Sequence, residues 1–210
     1  GQRAEFIVAN PNGIAVQDAA FVNISRLGLI TGTPTLDAHG NLQSFNLPTD
    51  GSGFIKVSDG QDTDLIALNA SNIDYIDIIA NTIEVTEAIY AGKELHLKTG
   101  NQSYNQTTRT LNSDNTANPP TISIDAKNFG TISAGRIELI STQKGLGINL
   151  DNGTIQAHTT DIVMTAEGQL INKANLAAEQ ELKLTTNDTL TNTKTLSSQG
   201  TLTLNTGALE

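Results

Sequence analysis

"LINKANLAAEQELKLTTNDTL", running from Leu170 to Leu190, decides how this chain folds. Its apolar residues stand at three stations: Leu170, Leu176 and the pair Leu182 and Leu184. Leu190 then opens the pattern again, and Leu196, Leu202 and Leu204 repeat it 20 residues on. Read backwards at the same step, Leu150, Ile162 and Met164 fit, with Ile155 one place out of register. Asn152, Asn172 and Asn192 share the step too. Residues two apart on a strand face the same way, so each pair is one inward face. A unit of this size cannot bury its own apolar side; stacking on its neighbours completes the core. The reading is an all-β solenoid, a parallel β-helix of about 20 residues per coil. A leucine-rich repeat has a similar period but needs one L-x-x-L-x-L strand and a helical return. Here the returns are rich in Asn, Thr and Gly.

Earlier segments carry the same spacing. Ile89, Leu95 and Leu97 match Leu176, Leu182 and Leu184, and Ile132, Ile137 and Leu139 form a unit one residue shorter. About ten coils at ~4.8 Å each would make a rod of roughly 50 Å. Asn172 and Asn192 are expected at one corner, where stacked amides hydrogen-bond along the axis. Composition agrees: 28 Thr, 21 Asn and 18 Gly suit strands and tight turns, and aromatics are only 4%.

Two stretches break the period. Thr99 to Pro120 has few apolar residues and reads as an excursion, a hairpin with "YNQTTRTL" as one arm. Thr33 to Gly53 reads as a shorter excursion, with "AHGN" as a hairpin turn. These are the expected contact loops; a cell receptor site in Thr99 to Pro120 would make the chain a direct adhesin.

Charge and composition exclude several functions. With net charge −10 and four Arg, the chain has no basic stripe, so no nucleic-acid partner is expected. No apolar run is long enough to span a membrane, so the chain is not expected to insert into one. The absence of Cys excludes disulfides and thiolate metal sites. His39, His96 and His158 stand apart, without metal-ligand spacing; all three are expected on the surface, His96 by its alternation with Leu95 and Leu97. Carboxylates group at Asp59, Asp62 and Asp64, at Asp74 and Asp77, and at Glu84 and Glu87. "DGQDTD" suits weak cation binding at most, since it lacks the Gly and Glu of an EF-hand loop. No catalytic residue, metal site or cofactor is assigned. The rival reading is a carbohydrate-active or carbohydrate-binding β-helix, a lyase or tailspike, which uses grouped carboxylates. The basic partners and aromatic platform it needs are sparse here.

One short motif remains. "NPNGI", Asn10 to Ile14, reads as a tight turn after the strand-like "AEFIVA". Asn10 suits an Asx turn, Pro11 presets φ, Asn12 and Gly13 tolerate left-handed backbone, and Ile14 re-enters the core. With its flanks, "AEFIVANPNGIAVQDAAFVNISRLGLITGTP", it resembles the secretion domain of two-partner secretion exoproteins of Gram-negative bacteria: the filamentous haemagglutinin, haemolysin and contact-dependent inhibition family. "IDYIDIIANTIEVTEAIYAGKELHLKTG", Ile73 to Gly100, is similar to the segment that follows in that family. The resemblance implies a right-handed parallel β-helix. It implies division into a secretion-domain part, residues 1–145, and haemagglutinin-type coils, residues 146–210. It makes Asn10, Pro11, Asn12, Gly13 and Ile14 the secretion motif. The implied partner is a cognate outer-membrane transporter, through its periplasmic domains and barrel, with a receptor on a host cell or target bacterium beyond it. The implied destination is the cell surface or medium, by way of the periplasm. The family's earlier N-P-N-L motif and N-terminal cap are not found, so the chain is expected to begin partway through the domain. "AVQDAA" stands where some members carry a Cys pair.

Overall fold

The computed structural model describes residues 3–60, 67–113 and 122–210, and every regular element in them is a strand. Eight parallel strands stack into a first face: Ala4–Ala9, Ile24–Ile30, Tyr75–Ala80, Glu94–Thr99, Arg136–Ser141, Ile162–Ala166, Glu181–Thr186 and Thr201–Asn205. Between them the chain returns through a second, 12-stranded parallel sheet that bends into two further faces. Three long strands, Ile122–Ala134, Leu146–Ala157 and Gln169–Ala178, run through both of these. The chain is a parallel β-helix.

The three apolar stations become three ladders. On the first face Leu27, Ile76, Leu95, Ile137, Ile162, Leu182 and Leu202 lie in register. Leu29, Ile78, Leu97, Leu139, Met164, Leu184 and Leu204 run beside them. The second face stacks Ile14, Ile55, Ile83, Ile124, Ile148, Leu170, Leu190 and Leu209. The third stacks Ala19, Leu68, Ile89, Ile132, Ile155, Leu176 and Leu196. Away from the two ends these side chains are fully buried, each worth roughly 1.5–3 kcal/mol of transfer free energy. β-Branched and aliphatic residues suit such ladders, since a like side chain waits above and below.

Two sequence expectations need correction. Among the described residues the first face has eight rungs rather than ten, because two returns leave the helix: Leu27 to Ile76 and Leu95 to Ile137 take far more than 20 residues. The repeat also slips at Leu150. Leu170 stacks on Ile148, and Leu150 stacks on Asn172. The cause is a bulge: the ladder shifts between Asp151 and Thr154, and between Lys127 and Gly130. Asn128 and Asn152 take positive φ there, and Asn152 donates to Asn128 Oδ1 (3.0 Å). Asn152 therefore sits in the bulge, away from the Asn172 and Asn192 corner. Those two do stack: Asn172 Nδ2 donates to Asn192 Oδ1 at 2.7 Å, and its remaining bonds close on Ala174.

Both excursions are present, residues 114–120 of the second lying outside the described residues, and they join each other. Thr33–Leu36, Leu42–Asn46, Ser103–Asn105 and Leu111–Asn112 form one four-stranded antiparallel sheet. "AHGN" is the hairpin turn, held by Asp37 Oδ1 accepting from the amides of His39 and Asn41. "YNQTTRTL" supplies a whole hairpin rather than one arm, with its turn braced by Asn105 Oδ1 on the amides of Thr107 and Thr108. The sheet covers the outside of the first face. Phe45, Leu47 and Tyr104 pack there on Ile30 and Ile79 as a second core, with Ile7, Leu42 and Leu111 at its margin.

Candidate functional site

The turn Asn10 to Ile14 joins the first strand of the first face to the first strand of the second, Ile14–Gln17. Asn10 is bonded at three points. Its amide donates to Ile30 O (3.0 Å) on the next rung, its carbonyl accepts from Gly13 N (3.2 Å), and its Oδ1 accepts from Asn12 N (3.0 Å). Pro11, without an N–H to satisfy, fits the first corner of the turn. Gly13 has φ +121°, and a Cβ there would lie 3.0 Å from Phe54 O, so the position requires glycine. Ile14 then joins the second-face ladder on Ile55. Asn10 thus braces the turn, while the Asn12 side chain makes no hydrogen bond among the described residues. Asn10, Pro11 and Asn12 are exposed. A five-residue motif is held in one shape with three side chains offered to solvent.

Beside it runs an open groove, walled on the far side by Asn46, Pro48, Asp50 and Ser52. That wall is where the first excursion returns to the helix. Asp50 Oδ1 accepts from Ser52 N (3.0 Å), and hydrogen bonds from Ser52 hold the Asp50 carboxyl below its ordinary range.

A second polar group lies under the antiparallel sheet, and here the sequence reading of His96 fails. His96 is 6% exposed. Its Nδ1 meets Asp77 Oδ1 at 2.7 Å and its Nε2 meets Glu94 Oε2 at 3.1 Å. Arg26 donates to the other oxygen of Asp77 and lies over the Tyr75 ring at 4.4 Å. Lys98 pairs with Glu138 at 2.8 Å. Alternation does point these side chains away from the helix core, but the second layer then buries them. Burial pushes the Asp77 carboxyl up; the His96 hydrogen bond and the Arg26 guanidinium outweigh it, leaving the carboxyl below the ordinary value. Glu138 follows the same pattern: burial raises it, and the bond from Lys98 brings it below. Burial with the neighbouring Asp77 charge pushes the Tyr104 hydroxyl up. His39 and His158 are exposed.

This second group is a structural clamp. Asp77 and Glu138 are tied to cations on adjacent rungs, Arg26 and Lys98. Two of the other grouped carboxylates are tied as well: Asp74 to Arg3 (2.6 Å) and Lys93 (3.1 Å), Glu84 to Lys56 (2.9 Å). Asp62 and Asp64 of "DGQDTD" lie outside the described residues. Among the described residues no three His, Asp or Glu side chains converge as a metal site.

A β-helix carrying a rigid exposed NPNGI turn and an extra-helical sheet defines a secretion-domain architecture. The family model of the TPS (two-partner secretion) secretion domain matches residues 1–172, and the chain belongs to that family. It is 31% identical over 202 residues to Toxin CdiA of Yersinia pestis, covering 95% of this chain and 6% of that protein. It is 33% identical over 177 residues to tRNA nuclease CdiA of Escherichia coli strain STEC_O31, covering 84% of this chain and 5% of that protein. The chain thus spans about one twentieth of these relatives. The crystal structure of the filamentous hemagglutinin secretion domain superposes with TM-score 0.69, covering 100% of this chain and 67% of that one at 23% identity, and so shares the fold. The family makes this chain a secretion module of a two-partner secretion exoprotein, a class secreted or held at the cell surface of Gram-negative bacteria.

Proposed function

We propose that this chain targets a much longer exoprotein to its cognate outer-membrane transporter, and that Asn10 to Ile14 form the contact. The observation that carries the reading is the turn itself. It is fixed by Asn10 and Gly13, yet presents Pro11 and the unbonded Asn12 side chain to solvent. The transporter's periplasmic domains bind the motif, and the barrel then passes the chain outward through the periplasm-facing entrance. Without Cys the chain crosses with no disulfide to form or break. Outside, each coil offers an unpaired edge on which the next one folds. Residues 1–145 act as the secretion part, and residues 146–210 begin the repeat coils of the stalk. The toxin names of the relatives favour a toxin-delivery stalk for the whole protein over an adhesin or haemolysin, with a receptor on a target bacterium.

Replacing Asn10 and Asn12 together by Ala in the full-length protein should reduce export through the cognate transporter at least tenfold. Secreted protein is measured against the cell-associated pool. Unchanged export would overturn the reading.

A further inference from the structure

Asn81 is fully buried at the corner where the chain passes from the first face to the second. Its side chain is saturated: Nδ2 donates to Pro48 O (2.9 Å) and Gly100 O (2.7 Å), and Oδ1 accepts from Gly53 N (2.9 Å). Its own amide donates to Gly53 O (3.0 Å). Three bonds from one residue therefore pin both ends of the segment Pro48 to Gly53, and the fourth ties it to Gly100. Leu47, buried in the second core, donates to Gln102 O (2.8 Å) and fixes the approach. What these anchors hold in place is the far wall of the groove beside NPNGI. The exposed residues between the anchors are Thr49, Asp50 and Ser52. Ser52 N donates to Asp50 Oδ1, and the carboxylate remains exposed to solvent. No Lys or Arg lines the groove, and the chain as a whole carries −10.

We propose that the transporter reads both walls at once: a polar segment bearing a cationic side chain lies in the groove between the NPNGI turn and Asp50, and Asn81 is the positioning residue that sets the second wall. Asp50 supplies charge where NPNGI has none, so the pair encodes a distance as well as a motif. Asn81 touches no partner; it acts by holding Pro48 and Gly53. The inference rests on the targeting function proposed above and adds to it a second contact and its chemistry.

Binding of the purified chain to the soluble periplasmic part of its cognate transporter tests this, at low and at moderate salt. Asp50→Lys should weaken binding at least tenfold, while hydrogen exchange shows the rungs still folded, since the exposed side chain gives up only its bond from Ser52 N. Asp50→Asn keeps the oxygen that bonds Ser52 and removes only charge; it should bind more weakly and with a shallower salt dependence. Asn81→Ala should lose affinity with NPNGI intact, at temperatures where hydrogen exchange shows the rungs still folded. If Asp50→Lys binds like the wild type while Asn10→Ala/Asn12→Ala does not, the second wall is no contact and the motif reading stands alone. If the latter variant also binds normally, the targeting function itself fails. Should Asn81→Ala be unfolded, the two Asp50 variants decide.

Discussion

Single residues hold this fold where like side chains cannot. Arg26 is 2% exposed, and Asp77 is its buried counter-charge. Asp77→Ala would strand that guanidinium, so unfolding in urea should show a loss of about 3–5 kcal/mol. The pH dependence has a fixed sign. The folded Asp77 carboxyl lies below the ordinary value of 3.8, so its contribution is full above that value and is lost as pH falls through the folded one. Wild type and Asp77→Asn should therefore converge in stability as the solution is acidified below about pH 4. Glycine carries a different constraint at position 168. A Cβ there would lie 1.9 Å from Gly145 O on the rung before, closer than any contact allows. Gly168→Ala must push two rungs apart, and a melting curve should show a cost of about 3 kcal/mol or more.

At the scale of elements, the antiparallel sheet joins a segment between the second and third rungs to one between the fourth and fifth. Tyr104 comes from the later segment and Phe45 from the earlier, and both are 1% exposed. Tyr104→Ala should cost about 3–5 kcal/mol and expose Phe45 and Ile79. Proteolysis within residues 33–53 should rise while the coils after Arg136 stay protected. This pairing was not legible in the sequence. The stretches were recognisable as excursions because each interrupts a period. Their partnership was not, since it rests on two aromatics far apart in the chain and on backbone pairing. His96 was misplaced for the same reason: alternation tells which side of a strand faces the helix core and says nothing of a second layer outside. Leu150 was misplaced because a bulge lengthens its coil without changing residue type. The last coils, from Ile162 onward, keep a 20-residue step, and there the period alone gave the register. NPNGI was legible as a turn; the wall opposite it, built by Asn81 from behind, left no local pattern to find.

The ladders form a one-dimensional stack in which each strand of the first face pairs only with its neighbours. Stability should grade along it. Rungs with two partners and a covered outer face, at Tyr75–Ala80 and Glu94–Thr99, should exchange amide hydrogens most slowly. Ala4–Ala9 and Thr201–Asn205, each paired on one side among the described residues, should exchange fastest. Hydrogen exchange followed by mass spectrometry would show it; uniform protection along the rod would mean that the coils open together.

The ladder bonds of a β-helix run along its axis, and that direction has a mechanical meaning. A pull along the rod loads the hydrogen bonds of a terminal rung one strand at a time, as in opening a zipper. A pull across it loads a whole face in shear. The extra-helical sheet, whose strands come from both sides of the third and fourth rungs, crosses that zipper as a stitch. Tension from the far end of a long stalk would peel back the regular coils first and stop at the stitched rungs, leaving the NPNGI turn in its folded shape.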